Sequence, residues 1–166
     1  MWTHESVEYY LTVAGETWLA SASPTPLQMH ALWDEYPWDA TTLPCGSAFD
    51  VIALPPTFGG QVVHELHHNN PEPGPVTTHH GTVHVFCRPG TADRLRHLLT
   101  WPEWHHLPPL HCYGPGDTVP IPPLRRHQDH HAPDRWITGP ATLHPPLPDA
   151  TTLLRACLRA ARTDHR

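Results

Sequence analysis

Apolar residues recur at helical spacing near both ends of the chain. Residues 4–20 place apolar side chains on one face of a helix, and residues 26–36 form a second helical pattern that ends before a proline. A third pattern covers residues 149–162, where Asp149 is the expected N-cap and arginines lie toward solvent. We therefore predict helices at these three places.

The middle of the chain alternates short apolar runs with helical patterns. Residues 48–54 form an apolar run with β-branched side chains between turn residues, which is typical of a buried strand. The other predicted elements are helices at 58–69 and 91–99, strands at 75–78, 82–86, 110–113, 117–121 and 135–138, and a loop at 122–133. This order predicts one α/β (α+β) domain over residues 1–166, with a mixed central sheet flanked by helices.

The composition is unusual in its proline, histidine and lysine content. The 166 residues include 22 Pro and 17 His but no Lys, which indicates a GC-rich genome and attributes part of the histidine excess to codon bias. The cysteines are Cys45, Cys87, Cys112 and Cys157, a spacing that excludes a Cys-x-x-Cys pair and favours free, mostly buried thiols. An acidic N-terminus and the lack of a run of about 18 apolar residues predict a cytoplasmic protein without membrane contact.

Charge is divided unevenly along the chain. Up to Cys87 there are nine acidic residues and no arginine, whereas the part from Arg88 onward has ten arginines and seven acids. The two parts carry −9 and +3, within a net charge of −6. An acidic protein is not expected to bind nucleic acid strongly without sequence preference, but a local basic face remains open.

One short motif suggests a metal. Residues 64–68 match H-E-x-x-H, which on a helix would set His64 and His68 one turn apart as zinc ligands, with Glu65 as general base. No third ligand follows at the usual spacing, and a chance match somewhere in so His-rich a chain has a probability of about 0.07. Zinc is therefore an alternative, and otherwise no cofactor is expected.

Several other short features are interpreted as structural. Three further groups of histidines are taken as surface side chains that bind metal at most adventitiously: His79-His80 with His84, His105-His106 with His111 and Cys112, and His127 with His130-His131. Gly59-Gly60, which opens a helix, is interpreted as a tight turn in preference to an anion site.

Three segments form a more specific pattern when their order is considered. Residues 43–55 read LPCGSAFDVIALP and follow a Trp-rich helical region; Gly74-Pro75-Val76 and then residues 81–90 read GPV and GTVHVFCRPG; residues 114–123 read GPGDTVPIPP and precede Arg135-Trp136-Ile137. Over residues 26–140 this order resembles the bifunctional DNA primase/polymerase N-terminal domain, of the archaeo-eukaryotic primase-like (prim-pol) type. The resemblance implies a mixed sheet flanked by helices.

The sequence departs from this family at the end of the first core strand. The resemblance implies two acids there, one residue apart, which hold the divalent metals for phosphoryl transfer. Here that place reads Ala53-Leu54-Pro55, and the strand's only acid is Asp50, at its beginning. We therefore expect a degenerate member that is not a polymerase or primase.

Other residues match parts of the family that contact nucleotide phosphates. His84 matches the family's histidine, and Arg88 follows it on the same strand face by period 2. The candidate binding residues for single-stranded DNA or a nucleotide are His84, Arg88, Arg125, Arg126 and Arg135.

The expected function is a non-catalytic primase/polymerase-like module. It would bind nucleic acid or a nucleotide weakly, or act as an accessory domain in replication or mobile-element biology. Two alternatives remain: a zinc-dependent hydrolase using His64, Glu65 and His68, and a regulatory protein–protein interaction domain that docks a partner through exposed Trp and Pro-rich segments. The sequence leaves the ligand, the partner and the oligomeric state open.

Overall fold

Helices and strands follow the predicted order in the computed structural model, which describes residues 11–70, 72, 74–125 and 133–164. The helices are α1 (Val13–Ala20), α2 (Pro26–Glu35), α3 (Pro56–Asn69), α4 (Thr91–Leu98) and α5 (Ala150–Asp164), with a 3-10 turn at Pro102–Trp104. The strands are β1 (Thr41–Pro44), β2 (Asp50–Leu54), β3 (Val76–His79), β4 (Thr82–Cys87), β5 (His111–Tyr113), β6 (Thr118–Ile121) and β7 (Asp134–Thr138).

The described strands form two sheets. Five of them make a sheet in the order β5-β2-β4-β3-β7, and β1 pairs with β6 in a separate two-stranded sheet. The predicted α+β class, with a central sheet flanked by helices, is confirmed. One detail differs, since every pairing between described strands is antiparallel, whereas a sheet of mixed strand direction was expected.

The five-stranded sheet separates two hydrophobic cores. Side chains alternate between its faces, so Ile52 and Leu54 pack with the core of helices α3, α4 and α5, while Val51 and Phe86 pack with the core of α1, α2 and the small sheet. Every residue of β2 is buried as a result. Burying one such aliphatic or aromatic side chain stabilises the fold by about 1.5–3 kcal/mol.

The first described helix is shorter than the helix predicted over residues 4–20. Thr12 has an extended backbone, and its hydroxyl accepts a hydrogen bond of 3.0 Å from the Gly15 N–H. A cap at Thr12 ends the helix on its N-terminal side, because a capping residue has non-helical dihedral angles. The prediction of a helix running through residues 11 and 12 is therefore wrong, and its part before residue 11 lies outside the described residues.

The predicted cap of the last helix is confirmed. The Thr152 N–H donates a hydrogen bond of 2.8 Å to Asp149 Oδ1, and α5 begins at Ala150. This backbone hydrogen bond lowers the pKa of the Asp149 carboxyl group. Among the described residues, no helix combines the length and the apolar character that crossing a bilayer requires.

The four cysteines are free and buried, as predicted. Burial raises the pKa of the Cys45 and Cys157 thiols to about 12. These thiols are therefore protonated at neutral pH and act as small apolar side chains in the core.

Two neighbouring glycines explain how α3 packs on the sheet. Both lie inside the helix, which begins at Pro56, and not in the tight turn that the sequence suggested. A Cβ atom on Gly59 would stand 2.6 Å from the Val83 Cβ and 3.1 Å from the Leu54 Cβ, whereas a Cβ atom on Gly60 would meet nothing within 4 Å. Gly59 therefore permits the close approach of α3 to β2 and β4.

This contrast predicts opposite effects of the same substitution at adjacent positions. Gly59→Ala is expected to lower the free energy of unfolding by about 1–3 kcal/mol, because the core is overpacked. Gly60→Ala is expected to raise it by about 0.5–1 kcal/mol through helix propensity. Urea unfolding followed by circular dichroism measures both, and equal effects of the two substitutions would contradict the packing described here.

Candidate functional site

One transverse row of the five-stranded sheet brings together one side chain from each of its five strands, and four of the five are polar. In the strand register, Ala53 lies opposite both His84 and His111, and Thr77 lies opposite both His84 and Trp136. Residues directly opposite each other point to the same face of a sheet. We call these five residues the His84 row; it lies on the face opposite the core of helices α3, α4 and α5.

His84 is a neutral histidine within this row. Its side chain is only 3% exposed. Burial, with a smaller contribution from the neighbouring His79, lowers the pKa of His84 to about 4. At neutral pH the ring therefore offers hydrogen bonds but no positive charge.

Three members of the row have buried polar atoms without a hydrogen-bond partner among the described residues. They are His84 Nδ1, Thr77 Oγ1 and Trp136 Nε1. Buried polar groups are nearly always hydrogen-bonded, since leaving one unpaired costs about 1–3 kcal/mol. Three such atoms in adjacent positions are where ordered water or a polar ligand would complete the hydrogen bonding.

A series of rings connects this row to the edge of the sheet. The ring centroids of His79 and His84 are 5.9 Å apart, those of His84 and Tyr113 are 6.0 Å apart, and those of Tyr113 and His111 are 4.4 Å apart. His111 is exposed on strand β5, at one edge of the sheet. Aromatic and imidazole rings at such a position are surfaces on which unpaired bases stack.

The arginines predicted to accompany His84 lie at separate places. Arg135 pairs with Thr78 on β7, which places it on the opposite face from the His84 row. Arg88 follows β4 and lines a cavity of about 480 Å³ together with residues of α3 and α5. Arg125 lines another cavity, of about 460 Å³, beside Trp33, and Arg126 lies outside the described residues. The structure does not gather the described arginines around His84, and their role in binding stays a prediction.

The H-E-x-x-H residues lie on α3, as predicted, but they form only a pair of ligands. The rings of His64 and His68 are stacked, with centroids 6.3 Å apart, and both are exposed. Among the described residues, no third metal-ligating side chain joins them. The group of three that does form consists of His79, His80 and Asp134, which sequence spacing did not associate because Asp134 is more than 50 residues further along the chain.

One protein family matches most of this chain. The family model described as bifunctional DNA primase/polymerase, N-terminal, matches residues 10–150. The chain belongs to this family. The resemblance carried by the three sequence segments is therefore confirmed, and the match extends beyond them at both ends. No curated protein and no solved structure gave a match.

In this primase/polymerase domain, the end of the first core strand carries no carboxylate. Ala53 is buried between His84 and His111, and Leu54 points to the other face, where it is 1% exposed in the helical core. Pro55 is the N-cap residue of α3. Within β2, β3, β4, β5 and β7 the acidic residues are Asp50 and Asp134.

Asp50 supports the fold of the primase/polymerase domain from the other face of the sheet. Its Oδ2 accepts hydrogen bonds of 2.9 Å from the Gly90 N–H and 3.0 Å from the Ala92 N–H, at the start of α4. Burial raises the pKa of Asp50, although these two hydrogen bonds act in the opposite direction. Asp50 lies three residues before Ala53, so it faces away from the His84 row.

We predict that Asp50 contributes to stability. Asp50→Ala leaves two N–H groups without their acceptor and is expected to lower the free energy of unfolding by about 2–4 kcal/mol, while Asp50→Asn, which keeps an oxygen acceptor, should cost less. Asp117→Ala is the matched control, since the exposed Asp117 accepts a single hydrogen bond from the Gly114 N–H. If urea unfolding shows the same loss of unfolding free energy for Asp50→Ala and Asp117→Ala, then Asp50 does not stabilise the start of α4 as described.

Proposed function

We propose that this primase/polymerase domain binds single-stranded DNA or a nucleotide weakly on the sheet face of the His84 row, and that it does not catalyse nucleotidyl transfer. The observation that supports this most directly is Ala53, which lies between His84 and His111 where a metal-binding carboxylate would be needed. An accessory role in replication or in a mobile element would follow from such binding.

The electrostatics of the five-stranded sheet disfavour nucleotidyl transfer. Two divalent ions around a triphosphate need several carboxylate ligands close together, because anionic oxygens are the protein ligands that hold hard cations such as Mg²⁺ most strongly. Asp50 faces away from the row, and Asp134 is hydrogen-bonded to His79. A methyl group at Ala53 offers no ligand, so the described strands lack the pair of carboxylates that such chemistry requires.

The rings at the edge of the sheet support binding of single-stranded DNA or a nucleotide. The pair of His111 and Tyr113 provides a stacking surface at the sheet edge, and the buried, neutral ring of His84 lies next to Tyr113. With a net charge of −6 and dispersed arginines, attraction to phosphate is weak. We therefore infer binding through stacking more than through charge.

The protein-interaction alternative has support from exposed aromatic side chains. Trp38 and Trp101 are 53% and 46% exposed, and large exposed aromatics are enriched where proteins dock. They lie on separate segments and do not mark one surface. We keep this function as the second candidate.

We expect no primer extension by the purified chain with Mg²⁺ or Mn²⁺, because two metal ions have no carboxylate pair to hold them. Gel analysis of a labelled primer–template measures this, with a family member that carries both carboxylates as positive control. Extension that disappears in Asp134→Asn would show that acids do converge on the row, and it would overturn the non-catalytic part of the proposal.

We expect His111→Ala to weaken binding of a fluorescein-labelled oligothymidine at least about fivefold, since stacking of one base contributes about 1–3 kcal/mol. Fluorescence anisotropy at low and at higher salt measures the affinity, and a labelled nucleotide in parallel distinguishes the two ligands. The matched control is His105→Ala, which removes an exposed histidine outside the five-stranded sheet. Equal affinities of the two variants, or no binding at low salt, would refute the proposed interface.

A further inference from the structure

The turn between β3 and β4 holds a histidine in the left-handed backbone conformation. His79 ends β3, and the two residues that connect the strands are His80, with φ of +49°, and Gly81, with φ of +84°. A two-residue hairpin with positive φ at both positions favours Asn-Gly, because Asn adopts this conformation more readily than most other residues that have a Cβ atom. His is also enriched at positive φ, so His80 is compatible with the turn and Asn would suit the same position.

Strand β7 brings a carboxylate to the same turn. Asp134 lies opposite His79 in the register of β3 and β7, and its Oδ1 is hydrogen-bonded to His79 Nδ1. The backbone also holds the two segments together, since the His80 N–H donates a hydrogen bond of 2.9 Å to the Pro133 carbonyl oxygen. Two imidazoles and one carboxylate are thus placed side by side by sheet pairing.

We propose that His79, His80 and Asp134 bind one zinc ion. One donor atom from each of the three side chains lies within 4.8 Å of the others. Tetrahedral zinc with bonds of about 2.0–2.2 Å needs donors about 3.3 Å apart. The exposed His80 side chain can close this difference by rotation.

The set of donors selects the class of metal. Two imidazole nitrogens and one carboxylate oxygen suit zinc and other late first-row divalent ions better than Mg²⁺, which prefers oxygen ligands. Three protein ligands leave a fourth position open for water or a ligand oxygen. His84 lies next to His79, 3% exposed and with its Nδ1 unpartnered, so the buried side of the site also offers a polar atom.

The surroundings distinguish this site from the chain's other histidine pairs. His64 and His68 offer two donors on an exposed helix face, which is the arrangement that takes up metal adventitiously. The proposed site combines donors from the β3–β4 hairpin and β7 that hydrogen bonds already hold in place. The zinc proposal is independent of the function proposed above, because zinc binding is measured without any nucleic acid.

The decisive variant is His80→Asn, which removes one ligand while supplying the residue that the turn prefers. The untagged full chain is stripped with EDTA, exchanged into buffer at pH 7.5 and titrated with Zn²⁺ against a chromophoric chelator. We expect one zinc per chain, and an affinity at least tenfold lower for His80→Asn and for Asp134→Asn. The double variant His64→Asn/His68→Asn is the control and should bind as the unaltered chain does.

Two further measurements distinguish loss of a zinc-binding side chain from unfolding of the variant. Zinc should raise the Tm of the unaltered chain, because it binds the folded state, and should not raise that of His80→Asn. Co²⁺ in place of zinc should give the visible absorption of a tetrahedral site in the unaltered chain only. If no stoichiometric zinc binds, or if the loss follows His64 and His68 instead of His80 and Asp134, the proposal is wrong.

Discussion

The pairing of β2 with both β4 and β5 is the constraint on which the rest of the structure depends. It places a fully buried strand between two hydrophobic cores, so each residue of β2 has to suit the face to which alternation assigns it. Ile52 and Leu54 meet the helical core, while Val51 and Ala53 meet the other face. Ala53, which lies between His111 and His84 in the row, satisfies burial without any partner, whereas an acid there would require metal ions or hydrogen bonds to compensate for its desolvation.

The two acids of the five-stranded sheet show how context decides the role of a carboxylate. Asp50 is buried and accepts two backbone hydrogen bonds, so it connects the start of β2 to α4. Asp134 is partly buried and contacts an imidazole, so it is available to a cation that the neighbouring histidines also bind. Neither is positioned to share two metal ions with a second carboxylate on a described strand.

The positive charges of the second half of the chain are dispersed by the fold. Arg88 lines one cavity together with Arg155 and Arg159 of α5, while Arg125 lies at another and Arg135 on the face opposite the His84 row. The arginines of the second half therefore do not form a single basic face among the described residues. What distinguishes the His84 row is its rings and unpaired polar atoms.

Local chemistry in the sequence determined most of the secondary structure. Asp149 before the last helix, the apolar run of β2 and the proline and glycine boundaries each act over a few residues, and the order of three segments was enough to indicate the primase/polymerase family. Strand β1 was missed because it is short and contains Pro44; its strand character depends on pairing with β6, more than 70 residues away. The role of Asp50 and the meeting of Asp134 with His79 and His80 were likewise decided by tertiary structure. Strand register sets which distant side chains face each other, and no spacing along the chain encodes it.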